Sequence, residues 1–285
     1  MPADKIFLPV RNYDLEATLT SGQAFRWQFE NGGWEGVIGH RWVRLEPHAQ
    51  GIAAQTAEPI SDWAWLRRYM QIDVDLDAIL RTFPDDEPMR LSVSACRGLR
   101  LLRQDPCECL ASFILSSTKQ IVQIQQIVAL LCERYGEPVA VPPDHKSVWA
   151  FPTAARLASS SEAELRACKM GFRAPNLLES AKMLASGEID LASLGGLSLS
   201  AARTELLKFP GVGPKIANCV LLFAYGFQES FPVDVWVLKA ICKLYFPKRC
   251  PRPSKLRHFT ATHFGPYAGY AQQYLYHYAR RFLRF

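Results

Sequence analysis

The 285-residue sequence predicts an α+β protein: an amino-terminal antiparallel β-sheet domain with helices over residues 1–104, then an all-α domain over residues 105–285. Three observations predict it. The first hundred residues break into short alternating runs divided by turn signals. From Asp105 onward, apolar residues recur every three or four positions, the helical period. Near residue 209 the helical part is interrupted by a proline- and glycine-rich hairpin, FPGVGPK, between two amphipathic stretches.

The elements follow in chain order. LEATLTSGQAFRWQFENGGWEGVIGHRWVRLEP, residues 15–47, holds three strand-like pieces, and Asn31-Gly32-Gly33 divides the first pair as a hairpin does. Asp62 is placed to cap a helix, WAWLRRYMQ. Pro84 and Pro88 interrupt the next stretch, and a helix is expected over SVSACRGLRLLRQ, residues 92–104. DPCECLASFILSS starts with Asp105 at an N-cap and Pro106 at the first helical position. IVQIQQIVALLCERYG repeats its apolar residues and ends at Gly136. After the proline-rich AVPPDHKSVWAFP come the helical runs SEAELRACKMG, APNLLESAKMLASG and SLSAARTELLKF, the hairpin, and two or three carboxyl-terminal helices.

Charge is unevenly spread. The net charge is +6, but residues 203–285 carry 13 Lys/Arg against 3 Asp/Glu, and the first 202 residues carry 20 against 24. A basic half suits a polyanion such as nucleic acid, although a solvated basic face is the plainer account. The eight cysteines show no CxxC pair and no regular framework, so they read as reduced thiols of a cytosolic protein. No amino-terminal signal and no run of membrane length is visible, which points to an intracellular protein that is not secreted: cytoplasmic in a prokaryote, nuclear in a eukaryote.

The hairpin carries the chemistry. Pro210 and Pro214 end one helix and open the next, while Gly211 and Gly213 allow a tight turn and close approach to a partner. Backbone N–H groups of Gly211, Val212 and Gly213 at a helix N-terminus would form a phosphate site that reads no sequence. Lys215 follows in the first turn of the next helix. The helix N-terminus and an apolar cleft both disfavour an ammonium there, and a free amine is a nucleophile able to form a Schiff base. The alternative is a point charge on a phosphate. Asp234, in SFPVDVWVLKAI, sits where an N-cap is wanted. Capping would fix its carboxylate, keep it ionised, and let it stabilise an oxocarbenium-like sugar.

These residues resemble a known family. The hairpin with its lysine and the downstream Pro-Val-Asp look like the helix-hairpin-helix DNA glycosylases, and within them the 8-oxoguanine DNA glycosylases. Ser21–Trp27, the run LRLLRQDPCECLASFILSS, Met170–Arg173 and Gly269–Tyr276 extend the likeness over nearly the whole chain, in the family's order. The resemblance implies a lysine Schiff-base glycosylase with strand-nicking lyase activity on a base flipped out of duplex DNA. It gives Lys215 the attack on C1′ and Asp234 the charge stabilisation. It also implies that the Gly22 carbonyl accepts from the N7–H that distinguishes 8-oxoguanine from guanine. Cys219 and Tyr276 would take the two faces of the base and Gln272 its Watson–Crick edge. Phe172 would be a wedge, and Arg173 would donate to the opposite base.

The chain departs from the pattern in places. Thr118 and Gln123 stand where cytosine-specific members have asparagine and arginine, so relaxed opposite-base preference is expected. Trp236 replaces a phosphate-contacting histidine, and Tyr276 a phenylalanine. No cysteine follows Cys250, so neither an iron–sulfur cluster nor any other metal or cofactor is expected. The expected partner is double-stranded DNA containing oxidised guanine, bound by a monomer, with no membrane. Two other readings stay open: a glycosylase for another damaged purine, and a non-catalytic DNA-binding module.

Overall fold

The computed structural model describes residues 4–143 and 145–284. The extreme residues of both expected domains, 1–3 and 285, and Asp144 of the proline-rich stretch lie outside the described residues.

Strand β1 (Asp4–Pro9) is followed by helix α1 (Leu15–Thr20), then by β2 (Gln28–Glu30), β3 (Gly33–Ile38), β4 (Arg41–His48) and β5 (Gly51–Thr56). The five strands form one antiparallel sheet in the order β1-β5-β4-β3-β2. Asn31 and Gly32 both adopt positive φ, which lets a two-residue turn join β2 to β3. The three strand-like pieces expected within residues 15–47 are β2, β3 and β4, with the first pair divided at Asn31-Gly32. LEATLT at the start of that stretch is α1, because Asp14 accepts from Ala17 N and so caps a helix.

Helices α2 (Ala64–Met70), α3 (Leu76–Leu80) and α4 (Glu87–Ala95) complete the amino-terminal part. Asp62 accepts from Ala64 N, as its position suggested, although Trp63 is the formal cap. The helix expected over residues 92–104 lies earlier in the chain. Asp86 accepts from Met89 N, Pro88 fits the first turn, and Gly98 at φ +110 ends the run, leaving residues 99–105 without regular secondary structure. A sheet core of Leu8, Leu45, Ile52, Leu66 and Met70, all essentially fully buried, closes beneath α2.

The rest is built on α5 (Pro106–Leu115), α6 (Ile121–Tyr135), a two-strand ribbon of β6 (Pro138–Val139) and β7 (Val148–Trp149), α7 (Ala154–Ala158), α8 (Glu162–Leu165) and α9 (Ala174–Ala185). It continues through α10 (Leu199–Leu206), α11 (Pro214–Val220), α12 (Val235–Tyr245), α13 (Pro253–Thr262) and α14 (Ala268–Phe282). Asp105 caps α5 by accepting from Cys107 N and Glu108 N, with Pro106 in the first turn, and α6 stops at Gly136. Each such cap contributes about 1 kcal/mol. The largest apolar core joins α5, α6, α9, α11 and α14 and takes in Leu99 and Leu101 from the amino-terminal part.

Helix α14 ties the two parts together. Tyr274 Oη donates to Leu99 O at 3.0 Å, and Gln273 Nε2 donates to Ser21 O at 2.9 Å. Cys242 and Cys250 are joined as a disulfide, and the other six cysteines are free. The expectation of eight reduced thiols therefore fails for this pair: the turn between α12 and α13 folds the chain back until the two Cα atoms are 4.8 Å apart, within disulfide range. Among the described residues no helix is long and apolar enough to cross a membrane.

Candidate active site

Lys215 occupies the second position of α11. Pro214 precedes it and Gly213 is the cap residue. Gly211 needs its left-handed φ of +77, and the Asn176 side chain fills the space a Cβ there would take. Nothing lies within 4 Å of where a Cβ would stand on Gly213, so the tip of the hairpin is open. One of the three expected phosphate donors is spent internally: Val212 N donates to Phe209 O, and the Val212 side chain is buried.

Lys215 Nζ donates to Ser116 Oγ at 3.1 Å and lies 5.1 Å from the centroid of the Phe113 ring. Ser116 Oγ donates in turn to Phe113 O at 2.7 Å, which orients its lone pair toward the amine. Asp234 caps α12 by accepting from Val237 N at 2.8 Å. Burial pushes its carboxyl above the ordinary aspartate range. The Val237 and Trp236 N–H groups, the Lys215 charge and Arg280 oppose that shift without cancelling it. Asn218, one turn along α11, accepts from Arg203 Nε at 3.0 Å and donates to Phe231 O at 3.3 Å. It thereby pins the segment that leads to Asp234.

Ser21, Gly22, Phe113, Lys215, Cys219, Asp234, Gln272, Gln273 and Tyr276 line one cavity of about 40 Å³, together with Phe223 and Pro232. Six of these were expected from sequence: Gly22, Lys215, Cys219, Asp234, Gln272 and Tyr276. Gly22 stands at φ +73 directly after α1. Its turn is clamped from several sides. Gln23 Nε2 donates to Thr18 O and Arg100 O, Gln23 Oε1 accepts from Leu102 N, and Gln104 Nε2 donates to Gln23 O. Cys219 is buried, and desolvation raises its thiol to about 11 against the pull of Lys215, so the sulfur stays protonated and apolar. Gln272 is 4% exposed, and its Oε1 meets no partner among the described residues. A buried carbonyl without a donor costs about 1–3 kcal/mol, and a ligand N–H would remove that cost.

The residues expected to touch the opposite strand lie away from this cavity. Phe172 is 62% exposed at the tip of a tight turn. Arg173 beside it is 2% exposed, with its guanidinium 4.2 Å from the Phe172 ring centroid. Arg173 Nη2 donates to Thr118 Oγ1 at 2.6 Å, so two of the expected residues engage each other. Gln123 Oε1 accepts from Gln120 N at 3.1 Å, which ties it back as the capping box of α6. Trp236 stands in the first turn of α12 beside the exposed Val235, with Lys239 Nζ 5.9 Å from its ring centroid.

Sequence reasoning missed Phe113, Ser116, Gln273 and Asn218. Ser116 carried the only usable signal, since it belongs to the Ser-Ser pair that ends α5. The others act through contacts between distant parts of the chain.

Residues 5–110 match the family described as 8-oxoguanine DNA glycosylase, N-terminal domain, and residues 111–264 match the HhH-GPD superfamily of base excision DNA repair proteins. The chain belongs to the HhH-GPD superfamily. Among its members, a probable N-glycosylase/DNA lyase of Methanothermobacter thermautotrophicus is 30% identical over 96% of each chain. The 8-oxoguanine glycosylase/lyase of Clostridium acetobutylicum, solved with double-stranded DNA containing cytosine opposite 8-oxoG, is 30% identical. It superposes with a TM-score of 0.88 over 98% of this chain and 99% of that one. MBOgg1, solved with a low-affinity DNA ligand, gives 0.91 at 31% identity over the same shares. An antiparallel sheet followed by a helical HhH-GPD unit is thus the architecture of the superfamily's 8-oxoguanine branch as well as of this chain.

Proposed function

We propose that the protein is a DNA glycosylase with abasic-site lyase activity that excises 8-oxoguanine from duplex DNA through a Schiff base on Lys215. The observation that carries this reading is the convergence of Lys215, Asp234, Gly22, Cys219, Gln272 and Tyr276, drawn from four separate parts of the chain, on one cavity. The likeness to solved 8-oxoguanine glycosylase/lyases over the whole chain supports it.

The damaged nucleotide leaves the stack and enters the cavity. The Lys215 amine bonds to C1′ as the bond from C1′ to the base nitrogen breaks. The base leaves with that electron pair and takes up a proton. Asp234, ionised, stabilises the positive charge that develops on the sugar. The sugar opens to an imine on Nζ, and elimination of the 3′ phosphate then nicks the strand. The Gly22 carbonyl accepts from N7–H of the lesion and faces a lone pair of guanine instead, a difference of several kcal/mol when the site is buried. Gln272 meets the Watson–Crick edge. The open hairpin tip at Gly213 and the exposed Trp236 and Phe172 contact backbone and stack. Borohydride trapping tests the chemistry: an 8-oxoguanine duplex should crosslink to the wild type and not to Lys215→Gln, and a binding module would trap nothing.

Opposite-base preference is relaxed in this reading, because Thr118 is engaged by Arg173 and Gln123 by its own helix cap. A lost bidentate contact removes about 1–3 kcal/mol of discrimination. Cleavage with C, A, G or T opposite the lesion should therefore agree within about tenfold. A preference for C of a hundredfold or more would be about the full discrimination of one intact contact, and would defeat the idea.

A further inference from the structure

We propose that the Tyr276 hydroxyl is a specificity-determining group that donates a hydrogen bond to the exocyclic oxygen at C8 of the lesion, a second reading of the oxidised edge beside Gly22. The inference rests on the proposed substrate. The hydroxyl lies 3.1 Å from where a Cβ on Gly22 would stand, and the Ile121 δ-methyl lies 2.9 Å from the same point. The ring therefore ends over the Gly22 turn, on the side of the cavity assigned to the N7 and C8 edge. A phenylalanine at this position would bring nothing polar there.

Among the described residues the hydroxyl donates to no acceptor. Among the described residues the polar neighbour of Tyr276 is Arg280, whose guanidinium lies 5.5 Å from the ring centroid and can only donate. Asp234 and Cys219 are the other charged or titratable groups near it. Burial raises the phenol to about 12, so it keeps its proton throughout the neutral range. Guanine has only C8–H at this edge and offers it no acceptor.

Tyr276→Phe keeps the stacking ring and removes only the oxygen. It should lower kcat/KM for 8-oxoguanine by about tenfold, and by clearly more than it lowers strand nicking at a preformed abasic site. Replacing O8 of the lesion by sulfur, a weaker acceptor, should slow the wild type more than it slows Tyr276→Phe, so that the two changes are not additive. Equal losses on lesion and abasic substrates, full excision by Tyr276→Phe, or additive effects would each overturn the proposal. Failure of the wild type itself to excise 8-oxoguanine would defeat the function proposed above, and this inference with it.

Discussion

Asp234 serves two masters. As the cap of α12 it accepts a backbone N–H, a task that asparagine performs equally well. As a half-buried acid its carboxyl is raised above its ordinary value, chiefly by desolvation. The protonated form is thus favoured in the fold. The resulting loss of stability is absent below the ordinary carboxylate value and complete once pH exceeds the raised one. Asp234→Asn should accordingly melt at the wild-type temperature or slightly above it at pH 7, while excision is lost. In the wild type, the rate should climb with pH as the carboxyl ionises, with its midpoint above the usual aspartate value, and this limb should be missing in the variant. Thermal unfolding beside a pH–rate profile checks both. The cap was legible from Pro-Val-Asp before a helical run. The sign of its titration was not, because burial comes from residues far along the chain.

At the scale of elements, the link between α5 and α6 is under strain. Thr118, a β-branched residue, stands at φ +58, a region costing such residues about 1–3 kcal/mol. What holds it is Arg173, buried behind Phe172 and donating to the Thr118 hydroxyl. Thr118→Asn keeps an acceptor for that arginine and tolerates the left-handed region better. It should stabilise the protein by about 1 kcal/mol, read as a rise of about 2–4 °C in Tm. Elements of this kind show what the sequence could convey. Helices opened by Asp105 and Asp234, closed by Gly136 or turned at Gly211 were readable from local chemistry. The start of α4 was misplaced, because proline suits a first helical turn, and α1, β1 and β5 were not singled out. The pairing of Thr118 with Arg173 spans 55 positions and has no local signature.

For the whole molecule, the uneven charge matters more than the net +6. Thirteen basic residues in the stretch from 203 to 285 share it with the hairpin and with the helix that carries Trp236. Affinity for an undamaged duplex should be mostly counterion release. It should fall by more than about tenfold between about 50 and 200 mM salt, measured by fluorescence anisotropy. The candidate cavity is assembled at the same scale. Its walls come from the turn after α1, the end of α5, the hairpin helix, the cap of α12 and the middle of α14.

The clamp on the Gly22 turn is closed by Gln273, 252 residues downstream of Ser21. The turn proposed to read one atom of the base is thus held in place by the same helix that ties the two parts of the molecule together.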